Sequence, residues 1–194
     1  MTILLLLSVI LVSFILLVAI IKGWHVRRRY IAYISYVSRH KYHVFIAGRK
    51  LGVPIMQLLI HDWDKFLPSM MVAYATTFRT PEGDKRFTKN EKFQSAVNSH
   101  VNRNKHHWQY WLSIEPGRDP EPLKMPEIYV REMVADWIGA GIAITGEDNV
   151  LLWWNDNATN IWLHPDTREM VEVLIYLYAT KRKNLDALKE AGLL

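Results

Sequence analysis

A chain of 194 residues has room for one domain plus an appendage, and with half its residues hydrophobic and 22% charged it can bury a sizeable core. It contains no cysteine, which excludes disulfides, thiolate metal sites and cysteine nucleophiles together, so any metal has to be held by His and carboxylates. The net charge of +5 is mostly local: Lys22 to Ile60 carries eight Lys or Arg and no Asp or Glu, a segment that suits anionic lipid better than nucleic acid, since no nucleic-acid-binding motif accompanies it.

The first element expected is a membrane anchor over residues 1–22, followed by one helical domain over 23–194. The run Ile3 to Ile21 is charge-free and made mainly of Leu, Ile and Val. As a helix it spans about 28 Å at about 1.5 Å per residue, close to the roughly 30 Å hydrocarbon core of a bilayer. No basic side chain precedes it and no Ala-x-Ala site follows, which argues against a cleaved signal peptide. Lys22, Arg27, Arg28 and Arg29 come after it, so the sequence predicts a single-pass membrane protein with a cytoplasmic carboxyl-terminal domain.

The remainder reads as helices punctuated by Pro and Gly, without strand-like alternation. The expected helices are Trp24 to Arg49, either separate or continuing directly from the span with a bend near Gly23, Pro54 to Phe66, Ser69 to Phe78, Lys89 to Leu112, Pro126 to Thr145 and Pro165 to Arg182, with a short tail from Leu185 to Ala191. Arg79 to Thr88 is read as a polar loop, and Glu115 to Pro126, with four prolines, as a second one. A Trp-rich stretch from Leu151 to Trp162 is left to core packing, a lid or a stacking surface. The fold class expected is an all-α bundle.

Four signals carry chemistry. His61-Asp62 follows an apolar approach, Ile55 to Ile60, that delivers it to the inner end of a helix; Lys65 falls four residues after His61 on the same face, where it can meet a phosphate. His40 shares a stripe with Tyr33, Val37, Val44 and Ala47 and is expected to point inward, with His43 as its neighbour. Between Asn98 and Trp111, helical phase puts His100 and His107 on one side with Phe93, Val97 and Trp111, and His106 on a polar rim with Arg103 and Tyr110. Asn104 is positioned to hold His107. Asp136 lies in a stripe with Tyr129, Met133, Ala140 and Ala143, where an ionised carboxylate needs a metal or a buried Arg partner. Glu132, one turn earlier, is a candidate general base or outer hydrogen-bond partner.

The order His40, His61-Asp62, His100, His107, Asp136, with Lys65 completing an HD-x-x-Lys form, resembles the HD superfamily of metal-dependent phosphohydrolases. More narrowly, the segments RHKYHVF, LLIHDWDKF, NKHHWQYW, MPEIYVREMVADWIGAG and LHPDTREMVE are similar to an uncharacterised family of phage and bacterial genomes. The resemblance implies an HD-type helical bundle. It implies that His40, His61, Asp62 and Asp136 hold one divalent ion and that His100 and His107 hold a second, with Asp62 between them. It implies Mn, Fe, Co, Ni or Mg as the metal, and water attacking a phosphomonoester or phosphodiester, such as a nucleotide. Lys65, Asp62 and Glu132 then serve catalysis. Two rival expectations use the same residues: a di-iron oxygenase, and a membrane-tethered metal-binding module without activity. His164 and Arg168 are outer candidates for the pocket.

Overall fold

A computed structural model of the chain describes residues 2–80, 84, 85, 87 and 90–190, with side chains for 23, 27–80, 84, 85, 87 and 90–181. The chain is mostly helical. Its elements are α1 (Thr2–Lys50), α2 (Ile55–Ile60), α3 (Pro68–Phe78), α4 (Glu91–Val101), strands β1 (Leu112–Ser113) and β2 (Glu121–Pro122), α5 (Glu127–Thr145), α6 (Val150–Asn157) and α7 (Pro165–Glu190). The second loop read from sequence holds β2, which pairs antiparallel with β1. The expected break before Leu185 is absent, because α7 runs through it.

The expectation of a transmembrane helix is corrected. Residues 2–22 are not a separate element but the first turns of α1, one helix of 49 residues. Among the described residues no helix is long and apolar enough to cross a membrane. The single-pass topology falls with the anchor, whose side chains lie outside the described residues. Hydropathy reports transfer free energy, not where a helix stops. A lone Gly23 disfavours helix by only about 1 kcal/mol, and no proline interrupts the next 27 residues.

What does stop α1 is a glycine in the left-handed region. Gly52 has φ 81°, and Gly52 and Val53 donate their N–H groups to Arg49 O (3.4 Å) and Gly48 O (2.8 Å). That is a Schellman closure, with Pro54 next in the chain to prevent any continuation. Arg131 Nη1 takes the carbonyl of Leu51 at 2.6 Å.

The chain divides into two compact units, residues 1–36 with 66–96, and residues 37–65 with 97–194. In the first, Met70, Ala73 and Ala96 form a small core with Leu67 and Tyr74. Phe78 and Phe93 meet edge to face at 5.1 Å, a favoured aromatic geometry.

The second unit holds the main core. α5 lies at its centre and packs on α6 and α7, burying Val130, Met133, Val134 and Ile138 against Val44, Leu58, Trp154, Val171 and Ile175. α5 approaches α1 so closely at Gly139 that a Cβ there would lie 2.6 Å from the backbone nitrogen of Val44. That contact sets a face of α5 directly against the inner stripe of α1. Within the Trp-rich stretch, Trp154 is core, while Trp153 and Trp162 remain 38% and 52% exposed.

Candidate metal centre

The second unit gathers one buried cluster of His and carboxylate side chains from four stretches of chain. α1 supplies His40. Its stripe is as the spacing predicts: Val37, His40, Val44 and Ala47 are all buried, while His43 stays outside the cluster. α5 supplies Glu132 and Asp136, one turn apart and both buried.

The other two stretches come from helices that end early. α2 stops at Ile60, and His61 has an extended backbone (φ −48°, ψ 129°). Asp62 follows at φ 55°, a left-handed conformation that Asp tolerates better than most residues. Lys41 caps the frayed end, donating to the carbonyls of Leu59 and His61. A 3-10 turn, Trp63–Phe66, then carries Asp64 and Lys65. The shared helix face expected for His61 and Lys65 therefore does not exist. The turn instead puts Lys65 Nζ 2.5 Å from Asp62 Oδ2.

Likewise α4 ends at Val101, not at Leu112. Asn102 and Asn104 turn their side-chain amides onto the carbonyls of Asn98 and His100, both at 2.9 Å, competing with the helical bonds that continuation needs. Residues 102–107 form a turn before a second 3-10 segment, Trp108–Trp111. The helical phase that set His106 on a polar rim has no meaning there: His106 is 2% exposed and faces the cluster. Asn104 does not hold His107; its amide donates to Asp64 Oδ2 at 3.1 Å.

Asp62 is the hinge of the arrangement. Its Oδ2 lies 3.1 Å from His40 Nε2 and 3.5 Å from His61 Nε2, and its Oδ1 lies 3.3 Å from His100 Nε2 and 3.4 Å from His106 Nε2. Asp136 Oδ1 closes the first side, 3.1 Å from His40 Nε2 and 3.4 Å from His61 Nε2. His107 Nε2 closes the second, 2.9 Å from His100 Nε2. Two imidazole nitrogens at that separation need a proton or a cation between them. Among the described residues, His40, His61, Asp62 and Asp136 form one group that can hold a metal ion, and Asp62, His100, His106 and His107 form another.

Two further carboxylates work from outside. Glu132 Oε1 accepts from His61 Nδ1 at 2.9 Å and lies 3.4 Å from His106 Nδ1, while Gln57 donates to its other oxygen at 2.5 Å. Asp64, fully buried, accepts from His100 Nδ1 at 2.9 Å, from Arg103 and from Asn104. A carboxylate on Nδ1 fixes the tautomer in which Nε2 offers a lone pair inward. With both oxygens of Glu132 so engaged, it is placed as an outer partner. Asp64 carries no role in the sequence reading, because no periodic stripe or ligand spacing sets it apart from the His-Asp pair before it.

Among the described residues, buried atoms of this cluster without a hydrogen-bond partner include His61 Nε2, His106 Nε2, Asp62 Oδ1 and Asp136 Oδ1. Orphaned acceptors that converge in a protein interior are costly unless a cation meets them, and this donor set is one that divalent ions accept. The electrostatics agree. Burial alone would lower the pKa of His61, but the charges of Asp62 and Asp136 beside it and the bond to Glu132 outweigh it and push it up to about 9. Burial alone would raise Asp62, yet the neighbouring His61 and Lys65 charges hold it well below the usual carboxylate range. Glu132 is likewise held down, to about 2, by the His106 and His61 bonds against its burial. The centre thus keeps its carboxylates ionised, as a cation requires.

Residues 29–177 match the model of a family described as a family of unknown function, DUF5662. The chain belongs to this family. The DUF5662 match contains every residue of the cluster, from His40 to Asp136, and leaves the whole apolar run from Ile3 to Ile21 outside it. No curated protein and no solved structure matches the chain. The two outer candidates stand apart from the cluster. Arg168 Nη2 donates to Ala158 O and Ile161 O and packs over Trp154, and His164 Nδ1 accepts from the Asp166 N–H near the start of α7.

Proposed function

We propose that the chain is a metal-dependent phosphohydrolase of the HD type, acting on a phosphomonoester or phosphodiester. The observation that carries the reading is the pair of ligand groups sharing Asp62, each offering unsatisfied or closely opposed donor atoms in a buried cluster. His40, His61, Asp62 and Asp136 would hold one ion, and Asp62, His100, His106 and His107 a second. Five imidazoles to two carboxylates suit Mn, Fe, Co or Ni better than the oxygen-seeking Mg. A divalent ion held by these residues would supply Lewis-acid polarisation of a phosphoryl oxygen and would lower the pKa of water towards neutrality.

The protein's own groups do the rest. The Lys65 ammonium beside the buried Asp62 helps to keep it ionised. Lys65 stands beside Asp62 with its side chain 16% exposed, a positive charge at the rim that neutralises a phosphate oxygen. Arg103, half-exposed beside Asp64, adds a second one. Glu132 and Asp64 orient His61 and His100 and hold their Nδ1 protons.

The test is elemental analysis of the purified full chain together with turnover of p-nitrophenyl phosphate and bis(p-nitrophenyl) phosphate, with each metal and after chelation. One or two ions per chain and chelator-sensitive hydrolysis are expected. Metal-loaded protein that hydrolyses neither ester but consumes dioxygen with a substrate would move the assignment to a di-iron oxygenase. Metal-loaded protein inert in both assays would leave a binding module.

A further inference from the structure

Where α5 turns into α6, the two helices and the link between them enclose a groove of about 550 Å³. From α5, Trp137, Gly141 and Ile144 line it, at the spacing of one helix face; from α6 come Leu152 and Trp153 with Asp156 one turn on. Glu147 enters from the link, which is tied in place: Glu147 N–H donates to Thr145 Oγ1 at 3.1 Å and Asn149 Nδ2 to Glu147 Oε2 at 2.7 Å. None of the metal-centre ligands lines this groove. Gly141 has no packing reason to be glycine, a residue that helix interiors disfavour against alanine. At Gly139 the reason is contact, since a Cβ would lie 2.6 Å from the backbone nitrogen of Val44. At Gly141 the nearest atom to such a Cβ is Glu147 O at 3.7 Å, an ordinary contact. What the missing side chain does is keep the floor of the groove open, while Ile144 and Leu152 stay 54% and 61% exposed beside it.

We propose that this groove binds a small organic cation, an ammonium carried on a non-polar body, between the indoles of Trp137 and Trp153 and the carboxylates of Glu147 and Asp156. The site is separate from the metal centre and does not depend on the phosphohydrolase reading. Charge comes first. The lining carries two carboxylates and no Lys, Arg or His, so a cation is attracted and an anion repelled. The surrounding sequence reverses the basic run of Lys22 to Ile60: Glu132 to Thr167 holds six carboxylates and no Lys or Arg, in a chain of net charge +5. The rings come next. Trp137 and Trp153 meet at 5.1 Å and 45°, and indole is the side chain whose face attracts an ammonium most strongly. The non-polar body follows from the walls, because Gly141, Ile144 and Leu152 offer it a place out of water. A bare divalent ion is poorly served there, since a hard cation wants six or more oxygens and the groove is mainly apolar. The volume falls within the roughly 300–1,000 Å³ of small-molecule sites.

The test titrates benzyltrimethylammonium and phenethylammonium into the full chain by ligand-observed NMR. Neopentylbenzene is the neutral isostere of the first, and phenylacetate is an anion of similar size. At least one cation is expected to bind saturably and about tenfold or more tighter than neopentylbenzene, with phenylacetate not binding. Gly141→Leu, which fills the floor, should abolish that binding. Glu147→Gln combined with Asp156→Asn should weaken it about tenfold, with helicity by circular dichroism and metal content equal to the parent's in both variants. Glu147 and Asp156 are exposed, so the double variant keeps the test open should Gly141→Leu misfold. The inference is overturned if neither cation saturates, if the neutral isostere binds as tightly as the cation, or if the folded variants bind as the parent does. Loss of metal together with the cation in a folded variant also overturns it, because the binding would then belong to the metal centre.

Discussion

His40, Glu132 and Asp136 reach the metal centre from the sides of long helices, whereas His61, Asp62, Asp64, His106 and His107 reach it from places where helices stop. On α1 and α5 a single period fixes where every side chain points, and a stripe of buried neighbours announces the direction. Past the ends of α2 and α4 each residue's direction depends on its own backbone angles, as Asp62 at φ 55° illustrates. The helical wall tolerates little movement. The wall made of turns can aim adjacent residues inward together, as it does with His61 and Asp62 and again with His106 and His107. A helix cannot do that for neighbours about 100° apart.

The largest effect that tests this contrast is at Asp62. Asn also tolerates the left-handed conformation, so Asp62→Asn should keep the fold while removing the charge that both ligand groups share. Metal retained after dialysis should fall by more than the roughly 10–100-fold that loss of an outer partner costs. Metal content equal to the parent's would mean that the two groups are not joined through this residue.

Next come the two histidines of the second turn. His106→Ala and His107→Ala should both lower metal stoichiometry with helicity unchanged, since neither residue lies in an α-helix. His106 should matter at least as much, because it reaches both Asp62 and Glu132. A His106→Ala protein with full metal content would restore the helical phasing that the structure replaces.

A smaller change is expected from the outer carboxylates. Glu132→Gln and Asp64→Asn should each weaken metal binding about 10–100-fold, read as a shift in dissociation constant by calorimetry. Loss of the fold instead, seen in circular dichroism, would make these groups structural before they are orienting.

The smallest effect on the centre probes the helical wall. Gly139→Ala places a methyl 2.6 Å from the backbone of Val44, which a rotamer change cannot relieve. Forced overpacking costs about 1–3 kcal/mol, and at about 2–4 °C per kcal/mol for a chain of this size the midpoint should drop by several degrees. Metal affinity should fall only slightly, as α1 and α5 separate at His40 and Asp136. An unchanged melting temperature would show that the two helices are not in contact there.

By itself the sequence determined the helical character, the inward His40 and Asp136, and, through the absence of cysteine, that any candidate centre is made of imidazole and carboxylate. These follow from periodicity and composition, which are local and survive in any fold that buries the stripes. Tertiary structure alone decided that α2 and α4 stop at Ile60 and Val101, and that His106 and Asp64 turn inward. Helix ends hang on few-kcal/mol contests between backbone bonds and side chains such as Asn102, Asn104 and Lys41. Those contests are settled by partners tens of residues away, as when Lys41 meets the carbonyl of His61 and His100 meets Asp64. No local pattern contains such a partner, so the wall built from helix ends became visible only once the chain was folded.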